Sequence, residues 1–221
     1  FTSDNPATVT IYVGSTLIQT LNIPANSITA SMNIPESGAT DARLQNEGVY
    51  INKGIYIHST SPIVAYAQIW GSKVTATSIL FPLKTLGRKY TSLNYTQVSN
   101  ATGMRSYVFA IATENGTVIE AKPSAPTSAA LPVGVWTSRT LNRGDVWLIK
   151  GAADNTDLTG TQFRSVSSAT GTCKPIAVFS GSQKISLTCS SSSASSDNLF
   201  QQCFPVAAWG RKFVSAPTAG L

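Results

Sequence analysis

Charge is what this sequence has least of. Only 12% of its 221 residues are Asp, Glu, Lys or Arg, against a usual share of about 25%. The polar surface must therefore come from Ser, Thr, Asn and Gln, a composition common among extracellular β-proteins. With 42% hydrophobic residues, the chain is too apolar for disorder and long enough for one large or two ordinary domains. Histidine occurs once, at His58, and carboxylates ten times. No G-x-S-x-G elbow is present. The only close carboxylate pair among oxygen-rich neighbours, Asp154 and Asp157 in "DNTD", lacks the D-x-D-x-D-G run of a calcium loop. Three cysteines and one distant histidine do not offer the four spaced ligands of a zinc site. These shortages predict no metal, no cofactor and no enzyme activity.

Long apolar runs are also missing. No stretch of about eighteen apolar residues occurs, which argues against a membrane-spanning helix. The net charge of +6 comes from sixteen scattered basic residues, and the only adjacent pairs are Arg88-Lys89 and Arg211-Lys212. Phosphate binding needs clustered cations, so nucleic acid is not an expected partner. The chain starts at Phe1 without a basic or apolar leader and reads as a mature product or an excised fragment.

What is present is period-two alternation. "ATVTIYV" (7–13), "TLIQTLNI" (16–23) and "SITASMNI" (27–34) are β-branched alternations separated by "GS" and "PAN". "PIVAYAQI" (62–69), "SYVFAIAT" (106–113), "GTVIEAK" (116–122), "DVWLIK" (145–150), "PIAVFS" (175–180) and "KISLTC" (184–189) continue the pattern, the last two read as a hairpin closed by "GSQ". No window carries a convincing amphipathic helix stripe. The expected class is all-β and sandwich-like.

Four segments come twice in the same order, about 110–120 residues apart. "GTVIEAK" resembles "ATVTIYV", and "RTLNRGDVWLI" resembles "QTLNIPANSITA". "KPIAVFSGSQ" resembles "SPIVAYAQIWGS", and "NLFQQCFPVAAWGRKF" resembles "TSILFPLKTLGRKY". That spacing suits one sandwich-sized domain per copy. The reading is two tandem related β-sandwich-like units from an internal duplication, 1–100 and 101–221, with the boundary in "QVSNATGM" (97–104). The twin "Pro…Gly-Arg-Lys-aromatic" segments are not phosphate loops, since neither shows G-x-x-x-x-G-K-[ST]. They read as equivalent corners. Pro82 and Pro205 end a strand, and Gly87 and Gly210 adopt a backbone shape that side chains hinder. Tyr90 and Phe213 then anchor the next strand in the core, while the Arg-Lys pairs stay solvated.

The second copy carries insertions, "SSATGTC" (167–173) and "SSSSASSD" (190–197). Exposed loops carry recognition, so Ser191, Ser192, Ser193 and Ser195 are candidate ligand contacts, with Trp136 in "LPVGVWTS" beside them. Trp147 and Trp209 lie in repeated strands and are expected in the core; Trp70 and nearby tyrosines are the other candidates for a sugar-stacking face. Cys173 and Cys189 stand at the base of the expected hairpin and are disulfide candidates; Cys189 with Cys203 is the rival pairing. Asn94, Asn100 and Asn115 fit the N-glycosylation pattern.

Taken together, "GIYIHSTSPIVAYAQIW…TSILFPLKTLGRKY", "VFAIATENGTVIEA", "LNRGDVWLIKGA", "DLTGTQFRS", "KPIAVFSGS" and "DNLFQQCFPVAAWGRKF" resemble the N-terminal domain of IgGFc-binding proteins over roughly residues 45–217, in the form found in bacterial surface proteins. The resemblance implies an extracellular, non-enzymatic domain at the cell surface. It also implies a place within a very large Bacteroidetes-type adhesion or gliding protein. Its expected partners are a protein or glycan on another surface and other domains of the same polypeptide.

Overall fold

The computed structural model describes residues 1–71, 74–168, 171–187 and 196–215. Among the described residues sixteen strands run in chain order. The first eight are β1 (Thr2–Ser3), β2 (Ala7–Val13), β3 (Thr16–Ile23), β4 (Ser27–Ile28), β5 (Gly48–Tyr50), β6 (Ile55–Ser59), β7 (Ala65–Gly71) and β8 (Val74–Leu80). The rest are β9 (Lys89–Thr91), β10 (Ser106–Ala112), β11 (Thr117–Lys122), β12 (Thr137–Leu141), β13 (Val146–Lys150), β14 (Gln162–Val166), β15 (Ile176–Ile185) and β16 (Asp197–Gln202). Single 3-10 turns occupy Leu83–Thr85 and Val206–Ala208. The chain is all-β, as its alternation demands.

A five-stranded antiparallel sheet runs β16-β15-β10-β13-β5, and a four-stranded sheet runs β12-β11-β14-β9. Both contribute to one core. Val108, Ala110, Trp147, Ile149, Ile176 and Val178 from the first meet Ile119, Ala121, Leu141, Phe163 and Tyr90 from the second. Trp147 and Phe163 pack edge to face with centroids 5.7 Å apart. A smaller three-stranded sheet, β3-β2-β6, holds a second core of Ala7, Val9, Ile11 and Ile23. Opposite it lie the pairs β7-β8 and β1-β4, linked by a bridge between Thr2 and Val64. β8 joins the large sheet sideways through side chains: the Gln202 amide donates to Ser78 Oγ at 2.8 Å, and the Phe81 amide donates to Gln202 Oε1 at 2.7 Å.

Two strands from the first hundred residues belong to the large sandwich. β5 pairs with β13, and β9 pairs with β14 in the register Phe163 opposite Tyr90. Tyr90 is fully buried. Its hydroxyl accepts from the Gly87 amide at 2.8 Å and donates to the Ile176 carbonyl at 2.7 Å. Burial pushes this phenol up to about 12, against the opposing pull of the Gly87 donor. The polar stretch after β9 is pinned down. Asn94 Nδ2 donates to Ser106 Oγ and to the carbonyls of Tyr107 and Gly181, all at 2.9–3.0 Å. Buried Gln97 donates to the Lys184 carbonyl at 2.7 Å. A buried backbone needs such partners, and they turn an apparent linker into sheet-bound chain. The internal Asn94 amide is thus no surface glycan acceptor.

Several expectations need correction. "SITASMNI" forms only the two-residue β4. "PIAVFS" and "KISLTC" are not a hairpin, because β15 runs unbroken through "GSQ" for ten residues, roughly 33 Å at about 3.3 Å per residue. Gly181 serves close approach there and makes no turn. A Cβ at Gly181 would run into the Leu199 carbonyl and stand 2.9 Å from the Tyr107 hydroxyl, which itself donates to that carbonyl at 2.8 Å. At the twin corners, Pro82 and Pro205 each open a 3-10 turn with nearly the same dihedrals, φ −56°, ψ 145° and φ −64°, ψ 148°. The Arg-Lys pairs are exposed. Gly87 and Gly210 avoid the left-handed region. Gly87 instead lies against Pro205, where a Cβ would clash. The corners touch each other, with Phe81 and Phe204 rings 4.6 Å apart. Trp209 and Phe213 are exposed, the latter 81%, so this second corner leads to no core strand.

Replacing Gly181 with Ala is expected to cost about 3 kcal/mol, because backbone and a buried tyrosine must both move; a urea midpoint measurement reads it. The raised phenol of Tyr90 contributes stability that is present below pH 10 and lost as pH rises from 10 toward about 12. Tyr90→Phe should lower stability at pH 7 by about 1–2 kcal/mol through two orphaned backbone groups. The same variant should flatten the alkaline decline, which Tyr107 also shapes by its own raised phenol.

Candidate binding surfaces

Each residue nominated from sequence has a definite place or lies outside the described chain. Trp136 is half-buried beside the outer face of the four-stranded sheet. The Arg164 guanidinium sits 4.0 Å from its ring centroid, and the Lys122 ammonium 6.0 Å. Arg164 is held there by donating from Nε to Glu120 Oε2 at 2.7 Å. The indole is thus engaged in cation–π contact. Ser191, Ser192, Ser193 and Ser195 lie outside the described residues, as does Cys189. Cys173 is a half-buried free thiol, and Cys203 is a buried free thiol near Ser180 Oγ. Burial pushes the Cys203 thiol up. β15 runs unbroken where that pairing was read from a hairpin, and Cys189 itself lies outside the described residues.

His58 is exposed on the outer face of β6, opposite Thr10. Asp154 pairs with Arg105, and Asp157 Oδ1 accepts from the Thr159 amide at 2.8 Å. The carboxylates of "DNTD" are therefore spent on an ion pair and a turn. Among the described residues, no three His, Cys, Asp or Glu side chains gather in a metal-binding group. A small polar cleft of about 410 Å³ is bordered by Glu47, Arg105 and Lys150. Burial, assisted by Arg105, lowers the Lys150 ammonium from its ordinary value, and Lys150 donates to the Gln45 carbonyl at 2.7 Å.

Two further surfaces stand out, the second holding Trp70 and Tyr66, which the sequence offered as candidates for a stacking face. One is a groove of about 590 Å³ beside β6, lined by Ile55, Ile57, Ile63, Ala65 and Leu80, with the Leu83 turn at its rim. Ile55 and Ile57 pair with Val13 and Ile11 and share their core-facing side, yet Ile55 is 44% exposed. Ser59 Oγ on the same side is buried with no hydrogen-bond partner. The other surface is the outer face of the β7-β8 hairpin. Tyr66 lies opposite Ile79, and Trp70 opposite Thr75. Period two puts Tyr66, Gln68 and Trp70 on one side, and Tyr66, Trp70 (64%) and Ile79 are all exposed. The signal in sequence was the alternation "AYAQIW", which puts Tyr66, Gln68 and Trp70 on one side and Ala65, Ala67 and Ile69 on the other.

Comparison with known proteins adds family and nothing finer. No curated protein and no solved structure is similar enough to match. A family profile described as IgGFc binding protein matches residues 76–220, which takes in β8 through β16 and the second corner, about two thirds of the chain. Over that span lie the "LGRKY", "LNRGDVWLI" and "FPVAAWGRKF" segments whose order carried the resemblance, and the chain belongs to the IgGFc-binding protein family.

Proposed function

We propose that this chain is a non-enzymatic, extracellular binding module of a larger bacterial cell-surface protein, built of two related sandwich-like units and serving adhesion or gliding. Its partner in this reading is a protein on another surface. Family membership is the observation that carries it, since the family is one of binding domains. The surface supports it. Tyr66 and Ile79 at one end and Trp70 at the other are exposed on one face of the β7-β8 hairpin, with the Gln68–Thr77 pair between them. Exposed aromatic side chains are enriched where proteins recognise one another. The Ser-rich run 190–197 is a second contact in this reading. No helix among the described residues is long and apolar enough to cross a membrane, and the module is taken to reach the surface through the rest of its polypeptide.

One observation favours a glycan instead: Tyr66 and Trp70 project from the same face, and aromatic faces stack on sugar rings. The labelled chain is to be assayed against immobilised matrix proteins, immunoglobulin Fc and a glycan array. The expected result is binding to a protein target that falls at least about tenfold on Trp70→Ala with Tyr66→Ala. Stability should stay within about 0.5 kcal/mol, because both side chains are exposed. Binding confined to glycans would select the second reading, and unchanged binding by the double variant would remove the hairpin face from either.

A further inference from the structure

The large sandwich is closed by a strand that comes after a corner. The chain leaves β8, turns at Pro82, and β9 then lies along β14, with Tyr90 opposite Phe163 and entering the core. Among the described residues the smaller sandwich has the parts of the four-stranded sheet except that closing strand. Its sheet β3-β2-β6 corresponds in chain order to β12-β11-β14, and "GIYIHS" (54–59) matches "GTQFRS" (160–165) residue for residue in pattern. Ile57 thus stands where Phe163 stands, and Ser59 where Ser165 stands. The outer edge of β14 carries β9, whereas among the described residues β6 pairs with β2 alone. Beside that free edge lies the 590 Å³ groove. An apolar channel flanked by an unpaired strand edge is a ready template for another strand.

The occupant is indicated by the second corner. It repeats Pro-x4-Gly-Arg-Lys-aromatic, and its Pro205 and Trp209 reproduce the dihedrals of Pro82 and Leu86 within about 15°. Lys212–Val214 then belong to no strand, with Phe213 and Val214 exposed. The two corners and the strands before them touch directly. β8 lies beside β16, Phe81 packs on Phe204, and the Gly87 of one corner rests on the Pro205 of the other. Each half brings its corner and the strand before it to this one contact, with Gly87 against Pro205 while Gly210 meets only Phe213 and Lys212. That contact is spent within this chain, so it does not extend to a further copy. We propose that the β6 groove is a strand-accepting site for this chain's own Gly210–Val214, which pairs antiparallel with β6, Phe213 opposite Ile57, and closes the small sandwich as β9 closes the large one. Phe213 then covers Ile55, Ile57 and Ile63, the residues left half-exposed at the mouth of the small core.

The register is testable by cross-linking. In the β9-β14 pair the Ser165 amide donates to the Arg88 carbonyl, so the next pair, Arg164 with Lys89, is a non-hydrogen-bonded one. Its counterpart is His58 with Lys212, both exposed, and such pairs place Cα atoms within disulfide range. The full chain carrying Cys173→Ser and Cys189→Ser is to be given His58→Cys with Lys212→Cys, mildly oxidised, and run on a non-reducing gel. The expected product is an internally cross-linked monomer. His58→Cys with Arg211→Cys, one residue out of register and on the wrong face, should not cross-link. Without any cysteine changes, Phe213→Asp should speed hydrogen exchange at β6 amides by at least about tenfold, with the β14 amides unmoved. Covalent dimers would mean that a second copy supplies the strand and would overturn the proposal. So would the absence of cross-linking, or unchanged β6 exchange in Phe213→Asp. Partner binding is not read in any of these measurements, so they stand or fall apart from the adhesion reading.

Discussion

The burial of Tyr90 is the constraint on which the larger part of this structure rests. A ring in the centre of a sandwich core must be delivered by backbone, and that backbone is β9, a three-residue strand at the edge of β14. Once Tyr90 is inside, its hydroxyl needs partners, and the Gly87 amide and Ile176 carbonyl provide them. Those bonds fix the corner to the start of β15, which in turn presses Gly87 on Pro205. The residues after β9 lie against β10 and β15 through Asn94 and Gln97, and Ser92 donates to the Leu158 carbonyl before β14. Strand, corner and apparent linker therefore form one piece with the sandwich they close.

The scarcity of charge has a structural counterpart. Among the described residues the ion pairs join Arg43, Arg105 and Arg164 to neighbouring carboxylates, and each includes a substantially exposed partner. Exposed pairs of this sort contribute little. Polar specification inside the protein falls to neutral groups instead: Ser106, Ser180, Ser182, Asn94 and Gln97 are all buried. The chief charged exception is Asp145, which accepts from the Asn52 amide at 3.0 Å and the Asn142 amide at 2.8 Å and so ties two turns together. A framework settled in this way leaves its apolar excess at identifiable places: the hairpin face, the groove along β6, and the second corner. Exposed apolar groups concentrated like this mark contact surfaces.

Much of the strand inventory was legible. "ATVTIYV", "TLIQTLNI" and "GTVIEAK" lie almost residue for residue on β2, β3 and β11, because β-branched alternation bounded by turn residues has few other solutions. β5 and β9 were not legible, since three residues carry no period. The "GSQ" within β15 misled for a physical reason. Glycine and serine suit turns, but glycine also allows close approach, and here Tyr107 and Leu199 crowd Gly181 from the neighbouring strands. The binding surfaces were the least legible part. Trp136 was nominated because its loop looked unconstrained, yet Arg164 and Lys122 meet it from the adjoining sheet.

The amino-acid sequence by itself determined the class, the alternating strands, the twin corners and the family, because each depends on residues near one another in the chain. The two Pro-led corners are recognisable in isolation, and each forms a 3-10 turn with an exposed Arg-Lys pair, though neither glycine takes the left-handed shape. Only the tertiary structure decided the fate of the aromatic residue beyond each corner. Tyr90 reaches a sheet edge that a distant part of the chain provides and is buried there, whereas Phe213, after the same local motif, stays at the surface. A side chain's burial is a property of its neighbours across the sheet, and those are set by strand pairings that local sequence does not encode.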